Sequence, residues 1–415
     1  MDVMNLHHLA VPCIAKENPV DISLYTGDEI FYLNPRAVIR YEPLGAVITP
    51  PILYASYLHI DSEVIKLLRR RAFSGLNLPN YVLSLLIEND IISRKPFTTD
   101  DYREIQVEVS GLPTQVLFEV TSYCNCDCIA CYHKDDLNGH IPSLKQLIMR
   151  IDKLRELGLS MFEVTGGEPF SRPDLHQVLD HIDRLGLHFY VVSNGEYLAD
   201  CSPKLIDVLK KGLGIAVSLD GFGQIHDRIR QRPGLYDKMI AGMDILHAQG
   251  IKIYLISTLS EASLSCVTEM INVAKRYETT IHFRPVIRTG AAIINNLQPI
   301  NLVQALGGLL QHLNVRNGLL STKKSFPRSR YYGCGLRKRI SVNSLGSLYP
   351  CVMDRSYYGD DIHSYSASSL VARLEEDTRR FLVANAACHN CHHNNKDLRC
   401  GGFCHFSRSY QKERV

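Results

Sequence analysis

The sequence has no large excess of charge and no long apolar run. Its 415 residues include 46 Lys and Arg against 43 Asp and Glu, which gives a formal net charge of +3. This balance is no reason to expect a nucleic-acid-binding surface. No apolar run approaches the ~18 residues that a membrane-spanning helix needs, and the start lacks a basic stretch followed by an apolar one. We therefore expect a cytoplasmic protein of two or three domains, with neither nucleic acid nor membrane as a partner.

Cysteine, by contrast, is abundant. The chain has 13 cysteines, and in a reducing cytoplasm such a count serves metals more often than disulfides. Most of them fall into two groups. The first is Cys124, Cys126, Cys128 and Cys131, and the second is Cys334, Cys351, Cys388, Cys391, Cys400 and Cys404.

Between about residues 116 and 286, short β-branched runs alternate with amphipathic helical stretches. This pattern predicts repeated βα units on a parallel sheet. The predicted strands begin at Val116, Met161, Phe189, Ile215, Ile253 and Ile281. The fold class is therefore α/β, either a partial barrel or an open doubly wound sheet. In both, ligands bind at the C-terminal ends of the strands, so we expect the chemistry just after each strand.

Residues 1 to about 105 follow a different pattern. Two strand-like segments flank a Pro43-Leu44-Gly45 turn, and two helices are predicted over residues 62–71 and 79–88. Together they indicate a small winged-helix-like α+β domain, and residues 95–112 are predicted to be a linker.

The most informative motif is formed by Cys124, Cys128 and Cys131, with x3 and x2 spacing on the loop after the first barrel strand. Three thiolates so spaced can bind three irons of a [4Fe-4S] cluster and leave the fourth open. A zinc knuckle or buried free thiols are the alternatives, although zinc usually takes four ligands from paired motifs. We treat Cys126 as a bystander.

The motif resembles that of the radical S-adenosylmethionine (SAM) superfamily, whose CxxxCxxC loop follows the first strand of a partial (β/α)6 TIM-like barrel. The resemblance implies that SAM binds the open iron and is cleaved to a 5'-deoxyadenosyl radical, which abstracts hydrogen from the substrate. The sequence itself identifies no catalytic acid or base.

Later strand ends extend the resemblance. Gly166-Gly167-Glu168-Pro169 is similar to the family's GGEP segment, which admits the amino acid part of SAM. The segments Ser193-Asn194-Gly195 and Ser218-Leu219-Asp220-Gly221, with Arg230 downstream, are similar to stretches of the peptide-modifying branch. By that resemblance Ser193, Ser218 and Asp220 lie near the ribose and Arg230 lies near the cofactor carboxylate. Taken alone, each would be an ordinary cap or surface group.

The second cysteine group resembles the SPASM extension, which houses one or two auxiliary iron-sulfur clusters. Its x8 gap replaces the family's x5, and the seventh cysteine is absent. The resemblance implies that Cys334, Cys351 and Cys404 bind one cluster and that Cys388, Cys391 and Cys400 bind the other. A histidine, Asp354 or substrate would then complete each set, or only one cluster assembles. A zinc site formed by Cys388, Cys391, Cys400 and Cys404 is the other interpretation.

The N-terminal domain resembles the recognition element of pathways that modify ribosomally made peptides (RiPPs), in which a leader peptide adds as a strand to a sheet edge. A cap on the barrel is the alternative. The expected domains are a recognition element over residues 1–105, a radical SAM core over 106–320 and a SPASM domain over 321–415.

We expect a peptide maturase that forms a thioether, carbon-carbon or carbon-oxygen crosslink in a precursor peptide. Flavodoxin or ferredoxin would be the electron donor. The alternatives are a formylglycine-generating sulfatase maturase, a peptide epimerase, and a metal-binding scaffold without turnover.

Overall fold

The computed structural model describes residues 9–12, 29–43, 45–53, 57–300, 339–352 and 359–383. These residues form one large mixed sheet, which is covered by helices, and two separate small sheets in the N-terminal region. The α/β fold class expected from the sequence is confirmed. Among the described helices, none is long and apolar enough to cross a membrane.

The large sheet has nine strands, and six of them follow one another in chain order as parallel neighbours. Each predicted barrel strand is present, within a few residues of its expected bounds. This arrangement is consistent with a partial TIM-like barrel rather than with the order reversal of a doubly wound sheet. The six strands are β9 (Gln115–Glu119), β10 (Met161–Thr165), β11 (His188–Ser193), β12 (Ile215–Ser218), β13 (Ile253–Leu259) and β14 (Thr280–Pro285).

Three further strands extend this sheet beyond the predicted set. On one side β1 (Leu9–Pro12) pairs antiparallel with β14. On the other side β15 (Arg339–Val342) lies parallel to β9, and β16 (Leu348–Tyr349) pairs antiparallel with β15. Their short length and their distance in sequence from the βα repeats explain why periodicity alone did not identify them.

Helices cover the outer face of the barrel. In α3 (Leu144–Glu156), Leu147, Ile151 and Leu154 are fully buried, as the three- and four-residue spacing of its apolar positions predicts. A capping box between Ser143 and Gln146 begins this helix. The helices of this region are α3 (Leu144–Glu156), α4 (Leu175–Arg184), α5 (Pro203–Leu209), α6 (Gln224–Arg230), α7 (Leu235–Ala248), α8 (Val267–Arg276) and α9 (Ala291–Ile294), and α10 (Ala367–Val383) lies near the end of the described chain.

The N-terminal region contains helices α1 (Ser62–Leu68) and α2 (Asn80–Glu88), as predicted, and two sheets. The strands of the three-stranded sheet are, in spatial order, β6 (Ala72–Ser74), β2 (Ile30–Leu33) and β7 (Ile92–Ser93). Those of the four-stranded sheet are β5 (Leu58–Ile60), β4 (Gly45–Thr49), β3 (Val38–Glu42) and β8 (Arg103–Gln106). Residues 95–112 are not a simple linker, because β8 lies within them and pairs with β3.

The four-stranded sheet closes the barrel at the N-terminal ends of its strands. Arg40 of β3 is 1% exposed, and its guanidinium donates hydrogen bonds to the carbonyl oxygens of Leu112, Pro113 and Gly158 at 2.7–2.9 Å. Glu42 balances its charge at 2.7 Å. Inside the barrel, Leu53 packs in a buried cluster with neighbouring strand residues. The open end is therefore the one formed by the C-terminal ends of the strands.

Candidate functional site

The cysteine loop, residues 121–133, follows β9 at the open end of the barrel. Cys124, Cys128 and Cys131 are partly exposed, whereas Cys126 is buried. The Ile129 amide donates to the carbonyl oxygen of Ile229 at 3.0 Å. The loop is therefore held against α6, the helix that follows β12. The three predicted ligands thus lie together where ligands of this fold bind.

Charge and hydrogen bonding shift the titration of these thiols. A hydrogen bond with the Cys126 thiol, together with the Arg230 guanidinium, lowers the pKa of Cys128 to about 6 despite its partial burial. Burial raises the pKa of Cys131 to about 12. The Arg230 Nη1 atom lies 3.6 Å from the Cys128 sulfur. A cation at this position favours a thiolate, the form that binds iron.

The donor set of the loop fits an iron-sulfur cluster better than a single ion. In the described part of the chain, no three His, Cys, Asp or Glu side chains are arranged to hold one metal ion. A cubane cluster makes a different demand, because each thiolate binds a different iron. Three soft sulfur donors on one loop, beside a buried cation, suit this chemistry.

The GGEP segment packs directly on the cysteine loop. The amides of Gly167 and Glu168 donate to the carbonyl oxygens of Thr121 and Tyr123 at 2.9 and 2.7 Å. A Cβ atom at Gly167 would lie 1.9 Å from the Tyr123 oxygen, and one at Gly166 would lie 2.1 Å from the Thr121 oxygen. Both glycines are therefore required by the close approach of two protein backbones. Pro169 is buried and begins a short 3-10 helix.

Glu168 presents a buried carboxylate beside this loop. It accepts hydrogen bonds from the Ser193 hydroxyl at 2.9 Å, the Asn194 amide at 2.7 Å and the Phe170 amide at 3.0 Å. Burial raises its pKa to about 7, and these hydrogen bonds offset only part of that shift. A positively charged amino group would stabilise the ionised carboxylate. Glu168 thus suits the amino group of a bound amino acid.

Asp220 and Arg230 form an ion pair at the end of β12. Their closest atoms are 2.8 Å apart, and Asp220 also accepts from the Thr258 amide at 2.7 Å. Burial tends to lower the pKa of Arg230, but Asp220 and the Cys128 thiol more than offset that effect, so the pKa is raised. Its Nε atom is buried with no hydrogen-bond partner among the described residues. Ser218, also buried, lies two residues before Asp220.

A second polar network was not anticipated from the sequence. Glu196 accepts hydrogen bonds from Arg232 and Lys238 at 2.8 Å and from Asn125 of the cysteine loop. The Arg232 contact, chiefly, lowers the pKa of Glu196 to about 2. Asn194 links the network to the loop, because its amide donates to Asn125 at 2.8 Å and to the Cys126 sulfur at 3.4 Å. The only signal in the sequence was proximity to the predicted Ser193-Asn194-Gly195 motif.

Of the predicted auxiliary ligands, only Cys351 lies within the described residues. It follows β16, which runs antiparallel to β15, and is partly exposed. Because β15 is parallel to β9, Cys351 lies toward the closed end of the barrel, away from the cysteine loop. The other predicted ligands, and Asp354, lie outside the described residues: Cys334, Cys388, Cys391, Cys400 and Cys404.

The family comparison agrees with this geometry. Residues 118–273, which carry the cysteine loop, Glu168 and the Asp220–Arg230 pair, match the radical SAM superfamily. The chain therefore contains a radical SAM domain. The family implies SAM and a [4Fe-4S] cluster as cofactors, as expected from the sequence.

Two curated relatives each match less than half of the chain. The AdoMet-dependent heme synthase of Methanosarcina barkeri is 24% identical over 41% of this chain and 49% of its own length. The subtilosin biosynthesis protein AlbA of Bacillus subtilis is 26% identical over 43% of this chain and 39% of its own length. The chain thus matches half or less of the length of these relatives.

Structural similarity extends further along the chain. The crystal structure of Streptococcus suis SuiB bound to its precursor peptide SuiA has a TM-score of 0.64 with this protein at 12% identity. It covers 92% of this chain and 97% of SuiB. The two proteins therefore share a fold well beyond the barrel.

Proposed function

We propose that this protein is a radical SAM enzyme that modifies a ribosomally synthesised precursor peptide. The observation that carries the proposal is the fold similarity to SuiB over 92% of the chain, since SuiB binds a precursor peptide. The similarity to AlbA, a protein of bacteriocin biosynthesis, supports the same substrate class. The heme synthase matches only 41% of the chain, so the fold similarity to SuiB over 92% of the chain is given more weight.

Cys124, Cys128 and Cys131 would hold a [4Fe-4S] cluster, which in its reduced form would supply the electron for reductive cleavage of SAM and so for radical hydrogen abstraction. The protein's own part is to bind and orient. In this proposal Glu168 accepts the amino group of SAM, Ser193 holds that carboxylate in position by its 2.9 Å hydrogen bond, and Gly166, Gly167 and Pro169 shape the backbone around it.

Asp220 and Arg230 have two functions in the proposal. Their ion pair keeps a cation beside the Cys128 sulfur, where it offsets the negative charge of a thiolate-bound cluster. The buried Arg230 Nε atom remains able to donate to the carboxylate of SAM. Ser218 and Asp220, at the end of β12, are assigned to the ribose side.

The N-terminal region is proposed to bind the leader segment of the precursor as an added strand. The four-stranded sheet ends at β8, where Glu104 and Gln106 are exposed and alternate with buried Ile105. Beside this edge lies a cleft of about 460 Å³ lined by Tyr41, Arg69, Arg71, Glu104, Ile105 and Gln106. An edge with which no described strand pairs, beside a cleft, offers backbone hydrogen bonds for affinity and side-chain contacts for register. The winged-helix-like assignment of residues 1–105 belongs to this proposal.

The remaining assignments follow the same class of enzyme. Residues 321–415 are proposed as a SPASM domain with one or two auxiliary [4Fe-4S] clusters, and flavodoxin or ferredoxin as the reductant in the cytoplasm. Auxiliary clusters that take up an electron favour an oxidative product, so we propose an intramolecular thioether or a carbon-carbon or carbon-oxygen crosslink. A formylglycine-type maturase and an epimerase are the competing enzymes.

The central test is SAM cleavage by anaerobically reconstituted protein under dithionite. We expect 5'-deoxyadenosine from the wild type and none above background from the variant with Cys124, Cys128 and Cys131 all changed to Ala. A fully iron-loaded wild type that leaves SAM intact would instead support a metal-binding scaffold.

Leader binding requires a separate test, and deletion of residues 1–105 is unsuitable because it would remove Arg40 from the closed end of the barrel. The Val107 amide donates to Tyr41 of β3, so the neighbouring Gln106 amide points away from the sheet. Gln106→Pro should weaken precursor binding about tenfold and leave SAM cleavage unchanged. Asp100→Pro, just before β8, is the control. Equal precursor affinity in wild type and Gln106→Pro would refute docking at this edge.

A further inference from the structure

The chain after β14 returns to the cysteine loop and contacts its backbone. The Ala291 amide, at the start of α9, donates to the carbonyl oxygen of Cys131 at 2.9 Å. The Asn295 side-chain amide donates to the carbonyl oxygen of Ile129 at 3.0 Å. Residues 289–295, which we call the brace, thus satisfy two carbonyl groups of the segment that contains the last two predicted iron ligands.

Gly290 makes this approach possible. Its φ of 51° and ψ of −130° belong to a region that only glycine adopts readily. A Cβ atom there would lie 2.4 Å from the Cys131 oxygen and 2.9 Å from the Tyr132 oxygen. The following residues, Ala291 and Ala292, are buried, so the brace cannot move outward without exposing them. Any side chain at position 290 must therefore displace the cysteine loop.

The brace is one of two supports for this part of the loop. On the other side, α6 contributes the Ile229 carbonyl, which accepts from the Ile129 amide, and Arg230, which contacts the Cys128 sulfur. Between Cys128 and Cys131 the loop thus has α6 on one side and the brace on the other. The match to the radical SAM superfamily ends at residue 273, so the brace lies outside it.

We propose that the brace is a positioning element that fixes Cys131 relative to Cys124 and Cys128, and thereby sets the geometry and environment of the iron-sulfur cluster. The proposal rests on the assignment of these cysteines as ligands, but it concerns residues that do not themselves bind iron. Gly290 and Asn295 are accordingly positioning residues.

The chain offers a matched control for Gly290. Gly223 precedes α6 with a φ of 55° and a ψ of −131°, almost the same conformation, but nothing lies within 4 Å of a Cβ atom placed there. Gly290→Ala and Gly223→Ala therefore carry the same backbone strain, and only the first forces an atom against the cysteine loop. The difference between the two variants isolates the contact with Cys131.

The experiment compares reconstituted full-length wild type, Gly290→Ala and Gly223→Ala. The readouts are the rate of iron loss to a chelator, the EPR spectrum of the reduced cluster and its midpoint potential. We expect Gly290→Ala to lose iron from the loop about tenfold faster than Gly223→Ala and to show an altered EPR spectrum, while Gly223→Ala matches the wild type. Indistinguishable iron loss and spectra in the two variants would overturn the proposal.

A second variant covers the case in which Gly290→Ala does not fold. Asn295→Ala removes the side-chain amide that donates to Ile129 and to Ala291 within the brace, and Gln298→Ala, at an exposed site nearby, is its control. We expect a smaller change in EPR spectrum and potential in the first and none in the second; no change in either would refute the role of Asn295. If the variant with all three cysteines changed to Ala has the same iron content as the wild type, the assignment of these cysteines as ligands is wrong. That result is distinct from failure of the brace proposal.

Discussion

Each end of the barrel has a buried arginine paired with a carboxylate, but the two arginines differ in how completely they are hydrogen-bonded. At the closed end, the guanidinium of Arg40 donates to three carbonyl oxygens and to Glu42. At the open end, Arg230 is also buried and paired with a carboxylate, yet its Nε atom has no partner among the described residues. Glu168, on the same end, has a pKa raised to about 7 by burial. Each guanidinium nitrogen of Arg40 is hydrogen-bonded, whereas Arg230 and Glu168 at the open end retain groups that a ligand would satisfy.

This contrast teaches where stability and function reside in the molecule. A fully satisfied buried charge contributes to folding and has nothing left to offer a ligand, whereas a partly satisfied one costs stability until a ligand binds. Substitutions at the closed end should therefore change the free energy of unfolding, and substitutions at the open end should change cofactor binding.

The largest expected effect is on iron at the open end. Cys128→Ala should abolish the cluster of the cysteine loop, a loss of about four irons per chain, whereas Cys126→Ala should retain it, because Cys126 is not a predicted ligand. Iron and labile sulfide content of the reconstituted proteins measure this difference. Equal loss in both variants would show that Cys126 is a ligand or is needed to form the site.

The next largest effect is expected at the closed end. Arg40→Met removes the guanidinium and leaves Glu42 and several buried carbonyl groups without it, which should lower the free energy of unfolding by about 3–5 kcal/mol. Iron content per folded molecule should not change. Denaturant unfolding measures the change in the free energy of unfolding. Arg36→Met is a surface control, which should lower that free energy by less than about 1 kcal/mol. Loss of iron from folded Arg40→Met would break the proposed separation of the two ends.

A smaller effect is expected on SAM affinity. Glu168→Gln removes a negative charge from the proposed amino-group site and should weaken SAM binding at least about tenfold, or about 1.4 kcal/mol. In the wild type, affinity should also fall as the pH decreases from about 8 to about 6, because protonation of Glu168, whose pKa is about 7, removes the same charge.

Equilibrium dialysis with labelled SAM measures both effects. Glu163→Gln is the control, since Glu163 lies on β10, five residues before Glu168, but accepts hydrogen bonds from Tyr190 and Gln115 inside the barrel. Equal affinities in the two variants would argue against Glu168 as the amino-group partner.

The smallest effect concerns acid stability. The pKa of Glu196 is lowered from 4.5 to about 2 by Arg232, Lys238 and Asn125, so its ionised form stabilises the folded state above pH 4.5 and that contribution is lost as the pH falls toward 2. The Arg232 and Lys238 side chains are exposed, which limits the contribution to about 1 kcal/mol or less. Urea unfolding of metal-free wild type and Glu196→Gln should show a difference at pH ~7 that narrows at pH ~3. A constant difference would mean that the carboxylate charge is not the cause.

Much of this architecture was predictable from local patterns. The barrel strands and most helices follow from the alternation of apolar runs and three- to four-residue spacing, and the structure places them within a few residues of the predicted bounds. The cysteine loop was equally evident, because its spacing is a local property. β8 was missed because a short strand with exposed Glu104 and Gln106 has the composition of a linker.

The sequence by itself thus determined the order of the elements, the position of the cysteine loop and the candidate residues at the strand ends, since each depends on neighbours in the chain. Only the tertiary structure decided which distant groups meet. Arg40 reaches Gly158, Glu196 reaches Asn125, and Gly290 reaches Cys131. The sequence around a charged residue or a glycine does not indicate which distant residue it contacts, because that contact depends on packing across the barrel rather than on spacing along the chain.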